Sequence, residues 1–110
     1  MRIHIQARGF TVTEPLRALA ERRLRFALGS LSGRIRSVNM LLDDQNGPRG
    51  GIDKRCKLRV ALPAQPAVVI EQLDADVYAA IDRAAERASR TLARRLNRQL
   101  QLRRDTLNTH

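Results

Sequence analysis

The sequence predicts a two-layer α+β domain with the element order β-α-β-β-β-α, in which two helices cover one face of a four-stranded sheet. Apolar and polar residues alternate in four short segments, and two longer segments repeat apolar residues at helical spacing. A chain of 110 residues with 43% hydrophobic content suits one compact domain with its own core. Because both amphipathic helices must cover the sheet, its other face is expected to stay in contact with water.

The first strand and the first helix are predicted in the first 29 residues. Residues 2–8 alternate Ile and Ala with polar side chains, which is typical of a strand with one apolar face. Thr13 is the expected N-cap and Pro15 suits the first turn of a helix that ends near Gly29. The outer face of this helix carries Arg17, Arg22 and Arg25. Arg23 points to the apolar side, so it either extends along its own methylene groups or reaches a groove beside the other helix.

Three further strands are predicted in the middle of the chain. They cover residues 37–42, 55–60 and 67–72. The segment 43–51 (DDQNGPRGG) is rich in turn-forming residues and is interpreted as a loop or hairpin connection. It lacks the spacing of a nucleotide-binding loop, so a flexible hairpin is favoured over a phosphate cradle made with Arg49 and Lys54. Cys56 falls on the apolar side of its strand and is predicted to be buried.

The longest helix is predicted over residues 73–104, with Asp74 or Asp76 as its cap. Its apolar positions share one side: Val77, Ile81, Ala84, Ala85, Ala88, Leu92 and Leu96. Five arginines lie opposite them at spacings of three and four: Arg83, Arg87, Arg90, Arg94 and Arg98. The sequence therefore predicts a helix with one buried face and one row of guanidinium groups.

A solvated surface is the simpler interpretation of this row, because Asp82 and Glu86 lie within helical pairing distance. However, no acidic residue follows Glu86 until Asp105, and the row is made of arginine rather than lysine. The planar guanidinium group matches the geometry of phosphate better than an ammonium group does. Polyanion binding is therefore the favoured interpretation.

The overall charge agrees with that interpretation. The formal net charge is +10 and the isoelectric point is near 11.6, values typical of proteins that bind nucleic acid or anionic surfaces. No apolar run is long enough to span a bilayer and no signal-peptide core is present, so a cytoplasmic protein is expected. A lone cysteine cannot form an internal disulfide, and His4 and His110 suggest no metal cluster.

Two segments carry a resemblance to a known family. The TEPLR start of the first helix and the segment DVYAAIDRAAERASRTLARRL, in this order of elements, resemble ribosome hibernation promoting factors and ribosome-associated inhibitor A, also called the sigma-54 modulation or small-subunit ribosome-associated proteins. The resemblance spans nearly the whole chain and implies a protein that binds small-subunit ribosomal RNA in the channel where messenger and transfer RNA sit. Translation on idle ribosomes would then be blocked sterically.

The resemblance also implies how the chain is organised and what it contacts. Residues 1–104 are expected to form a single ribosome-binding domain and residues 105–110 a flexible tail. The small ribosomal subunit is the expected partner of a monomeric protein that uses no cofactor, metal or small-molecule substrate. The chain stops after the first domain of the long family members, so it is not expected to pair ribosomes through their C-terminal dimerisation module. The residues expected to contact the RNA are Arg22, Arg23, Arg25, Arg83, Arg87, Arg90, Arg94, Arg95 and Arg98.

The chain departs from the family at Phe26 and Leu28, where charged residues are common; these two residues either pack in the core or form an interaction patch. Only Phe10, Phe26 and Tyr78 are aromatic, so recognition of shape and charge is expected rather than base stacking.

Three other functions compete with ribosome binding. A general binder of double-stranded RNA or DNA is the main alternative, because related two-layer α+β domains bind duplexes. An enzyme is disfavoured because the aspartates show no pairing with His or Cys that suits acid-base chemistry. A membrane-surface role is disfavoured because both helices need their apolar faces for the sheet.

Overall fold

The computed structural model describes residues 1–45 and 53–108 and has the predicted α+β order. The elements are β1 (Arg2–Arg8), α1 (Glu14–Leu28), a 3-10 helix (Gly29–Arg34), β2 (Ser37–Asp44), β3 (Lys54–Leu62), β4 (Gln65–Asp74) and α2 (Val77–Asn108). The predicted loop 43–51 starts two residues too early, because Asp43 and Asp44 belong to β2 and pair with β3; its residues 46–51 lie outside the described residues. α2 continues through residues 105–108, and the flexibility expected for residues 105–110 stays a prediction.

The four strands form one mixed sheet in the order β1-β2-β3-β4. β1 runs parallel to β2, with Ile3 beside Val38. β2 and β3 are antiparallel, as are β3 and β4, so that Leu58 lies between Met40 and Ile70. A parallel pair needs a crossover connection, and α1 with the 3-10 helix supplies the one between β1 and β2.

One apolar core fills the space between the sheet and the two helices. It joins the inward positions of the strands with one side of each helix, and Leu24, Leu58, Ile81 and Leu92 in it are completely buried. The opposite face of the sheet carries exposed polar residues such as His4 and Arg59. Arg59 follows the buried Leu58 directly, so the two side chains point to opposite faces. Both helices therefore lie on one face, as predicted, and the other face is open to solvent.

The beginning of α1 follows the prediction. The Thr13 side-chain oxygen accepts a hydrogen bond from the backbone N–H of Leu16 at 3.3 Å, and Pro15 lies in the first turn, where its missing N–H is no loss. Gly29 is the C-cap.

The predicted start of the long helix at Leu73 is wrong by four residues, because β4 extends through Asp74 by pairing with the start of β3. Asp76 is the cap: its Oδ1 accepts a hydrogen bond from the backbone N–H of Tyr78 at 3.1 Å. Asp74, the other candidate cap, accepts from the backbone N–H of Asp76 instead, at 3.1 Å. The two aspartates therefore hold the turn between β4 and α2.

The C-terminal part of α2 contributes fewer buried side chains to the core than its N-terminal part does. Leu96 is the last buried side chain that the structure describes in this helix, while Leu100 and Leu102 are exposed. Within the described part of the chain, no helix is long and apolar enough to cross a membrane.

Candidate nucleic-acid interface

The arginine row of α2, made of Arg83, Arg87, Arg90, Arg94 and Arg98, lies on the exposed side of the helix. The opposite side is buried against the sheet at Ala84, Ala88 and Leu92. Because the rise is about 5.4 Å per helical turn, the five side chains leave the backbone at roughly one-turn intervals along one line. The predicted two-sided helix is therefore present.

The first three members of the row are held by acceptors of the protein itself. Arg83 forms an ion pair with Asp74 at 3.0 Å, and Arg90 forms a longer one with Glu86 at 3.7 Å. Arg87 donates to the backbone oxygen of Glu71 at 2.6 Å and to Oε1 of Gln72 at 2.9 Å. The acceptors of Arg87 carry no charge, so this side chain is fixed against β4 while it keeps its full positive charge.

Arg94 and Arg98 differ from the rest of the row, because neither makes an ion pair or side-chain hydrogen bond with any residue that the structure describes. Arg87, Arg90, Thr91 and Arg94 line a surface hollow of about 320 Å³. This space suits a phosphate group, and three guanidinium groups supply donors around it. We call it the arginine hollow.

Arg95 lies on the flank of α2 that faces the sheet. Its NH1 donates to the backbone oxygen of Pro66 at 2.6 Å, and its side chain is half-buried. Together with Arg87, it ties α2 to β4 over two turns of the helix. Its position is therefore set by the fold.

The predicted residues of α1 occupy two environments. Arg22 and Arg25 are exposed and make no ion pair with the described residues. Arg23 reaches toward α2, where its Nε lies 3.0 Å from Oδ1 of Asp82, and both side chains remain about half exposed. Of the two positions left open for Arg23, the structure shows the one beside the other helix. An exposed pair of this kind contributes at most about 1 kcal/mol, so it can yield to a phosphate.

The two departures from the family pattern also separate in the structure. Leu28 is completely buried in the core, whereas Phe26 is 90% exposed. Phe26 borders a groove of about 470 Å³ between α1 and α2. Leu28 is therefore a packing residue and Phe26 belongs to the surface.

A second basic area lies on the open face of the sheet and was not among the predicted contacts. Arg2, His4, Arg36, Ser37 and Asn39 line a hollow of about 530 Å³ there. The alternation of β1 does indicate that Arg2 and His4 face outward. Their approach to the residues of β2 depends on the parallel pairing of β1 and β2, which no local pattern reveals.

The other end of the open face is neutralised by acidic residues. Arg55 lies 2.8 Å from Asp43, and Lys57 lies 3.8 Å from Glu71. On the core side of the same strand end, Lys54 lies 3.0 Å from Asp44 and also contacts the buried Asp53. The hydrogen bond with Asp44 is the main cause that raises the pKa of Lys54 above its usual value. The outward basic side chains of β3 therefore differ: Arg55 and Lys57 have acidic partners, whereas Arg59 makes no ion pair with a described residue.

Cys56 is completely buried in the core, as predicted, and desolvation raises the pKa of its thiol to about 12. A thiol that stays protonated is a poor nucleophile. Within residues 1–45 and 53–108, no group of three or more His, Cys, Asp or Glu side chains is arranged to hold a metal ion.

Several solved structures share this fold, and two of them match most of the chain. The N-terminal domain of Protein Y from Thermus thermophilus is 28% identical, superposes with a TM-score of 0.71, and is matched over 86% of this chain and 98% of its own. A ribosomal subunit interface protein from Coxiella burnetii superposes with a TM-score of 0.76 at 18% identity, over 88% of this chain and 99% of that one; at this identity the likeness shows the fold alone. No curated protein matches the chain.

The sequence also matches the model of a protein family described as Sigma 54 modulation protein / S30EA ribosomal protein. The match covers residues 3–100, from β1 into the later turns of α2. It confirms the resemblance that the two helical segments carry. The chain therefore belongs to the Sigma 54 modulation protein / S30EA ribosomal protein family.

Proposed function

We propose that this protein binds small-subunit ribosomal RNA in the channel for messenger and transfer RNA and thereby blocks translation on idle ribosomes. The family to which the chain belongs indicates a ribosome-associated protein. We propose both the binding site on the small subunit and the residues of this protein that contact it.

The observation that carries the proposal is the arginine row, with its exposed members fixed on a rigid helix. Arg87 and Arg95 anchor α2 to β4 through uncharged oxygens, so the helix does not need to reorganise when it meets a polyanion. Arg94 and Arg98 have no charge partner among the described residues. A preformed line of guanidinium groups at one-turn intervals engages several phosphates of folded RNA at once without reading bases.

The first helix extends this surface. Arg22 and Arg25 project from α1, and the ion pair between Arg23 and Asp82 joins the two helices at the groove between them. The contact surface of the proposal is therefore the solvent-exposed side of both helices. The opposite sides of the two helices pack on the core and the sheet, which hold this surface in place.

Binding to purified ribosomal particles tests the proposal. The protein is mixed with small subunits, large subunits or duplex RNA, and its distribution is measured by sedimentation; added transfer RNA then competes for the site. We expect tight binding to small subunits, loss of that binding when transfer RNA occupies the channel, and inhibition of translation in vitro.

Equal affinity for duplex RNA and small subunits would instead identify a general duplex-binding module. Binding that transfer RNA leaves unchanged would place the protein outside the channel and contradict the proposed mechanism.

A further inference from the structure

Among the side chains that the structure describes, Phe26 is the most exposed large hydrophobic one, at 90%. It projects from α1, where its ring makes no contribution to the core. Arg22 precedes it by one helical turn, and Arg23 and Arg90 line the same groove as the ring. An exposed aromatic ring among arginines combines the two features that single-stranded RNA contacts.

The groove beside Phe26 exposes more apolar than polar surface. Small side chains line it at Ala27, Ala85 and Ser89, which leaves a slot between the two helices. Two acidic side chains border it, and each lies beside an arginine: Asp82 is 3.0 Å from Arg23 and Glu86 is 3.7 Å from Arg90. The carboxylates therefore do not give the groove a net negative charge.

The groove and the arginine hollow are neighbours that share Arg90. On one side of Arg90 lies the slot with Phe26, and on the other lie Arg87 and Arg94. An apolar slot next to a cationic hollow matches the chemistry of a nucleotide, which joins a flat base to an anionic phosphate. An apolar protein side chain would match the slot but not the hollow.

We propose that this groove holds the base of an unpaired nucleotide of the bound RNA, stacked on Phe26, with the phosphate of that nucleotide in the arginine hollow. This inference rests on the proposed function and adds a base contact to an interface otherwise made of phosphate contacts. Stacking on an aromatic ring tolerates any base, so the contact strengthens binding without requiring a particular sequence.

Tryptophan fluorescence tests the stacking directly, because the chain contains no tryptophan. The F26W variant places a single indole at the groove, and V69W places one at an exposed position of β4, away from both helices, as a matched control. We expect small subunits and deproteinised small-subunit ribosomal RNA to quench the emission of F26W and to leave that of V69W nearly unchanged. Quenching of F26W by intact subunits alone would assign the groove to a ribosomal protein and overturn the inference.

Affinity measurements with F26L and F26Y separate stacking from charge. Loss of one stacked base weakens binding by about fivefold or more. We expect F26L to show this loss equally at every salt concentration, because stacking releases no counterions, and F26Y to bind as the wild type does. If F26L binds as tightly as the wild type, the inference fails while the proposed function stands. If the wild-type protein itself does not bind small subunits, the proposed function fails.

Discussion

Neutralising Arg94 and Arg98 together is the sharpest perturbation of the proposed interface. Neither side chain makes an ion pair or side-chain hydrogen bond with a described residue, so the R94Q/R98Q variant removes charge without breaking a structural contact. The free energy of unfolding is expected to change by no more than about 0.5 kcal/mol, as for surface substitutions in general. A change in RNA binding can then be attributed to the interface.

The magnitude follows from the number of arginines available to phosphate. Arg23 and Arg83 are each paired with an aspartate at 3.0 Å, which leaves about six exposed arginines on the two helices. Neutralising that many phosphates makes the logarithm of the association constant fall with the logarithm of salt concentration at a slope of roughly −4 to −5. The six are Arg22, Arg25, Arg87, Arg90, Arg94 and Arg98. Removing two contacts should bring the slope to about −3. Each lost charge-assisted hydrogen bond contributes about 1.5–3 kcal/mol, so affinity at low salt should fall by about 100-fold or more.

The assay is the dissociation constant for small subunits, measured over a series of salt concentrations. The matched control is R8Q/R34Q, which makes the same change in net charge at exposed residues that lie outside both helices. We expect the control to retain most of the wild-type affinity. An equal loss in both variants would show that only total charge matters, and an unchanged slope in R94Q/R98Q would remove the row from the interface.

Three further predictions concern the structure that supports the interface. L92A should lower the free energy of unfolding by about 2–5 kcal/mol in urea titrations, because Leu92 is completely buried between α2 and the sheet. D76A removes the side-chain oxygen that caps α2 and should cost about 1 kcal/mol, which thermal unfolding would detect. Because the pKa of the Cys56 thiol is raised from about 9 to about 12, this thiol ionises in the unfolded protein before it does so in the folded one. The free energy of unfolding should therefore fall as pH rises from about 9 toward about 12. In C56A this part of the pH dependence should be absent.

Much of the fold was predictable because each element carries a local signal. Alternation identifies the strands, Thr13 and Pro15 mark the start of α1, and the apolar spacing of α2 separates its buried side from the arginine row. The start of α2 was predicted too early, because the residues expected to begin the helix belong to β4 and pair with β3. That pairing joins Leu73 to Arg55, residues far apart in the sequence, and helical periodicity contains no information about it.

The environment of each arginine was less predictable than its direction. The sequence shows that Arg87 points away from the core, but its hydrogen bond to the backbone oxygen of Glu71 requires the packing of α2 on β4. Arg95 is tied to Pro66 for the same reason, across 29 positions of the chain. The groove at Phe26 depends on how closely α1 and α2 approach, which neither amphipathic pattern specifies.

Footprinting of small-subunit ribosomal RNA tests the central claim most directly. Chemical probing with and without the protein should show protected nucleotides that line the messenger and transfer RNA channel, and R94Q/R98Q at the same concentration should give none of these protections. Protections confined to other regions of the subunit, or the same channel protections with the variant, would contradict the proposal that the arginine row holds this protein on the ribosome.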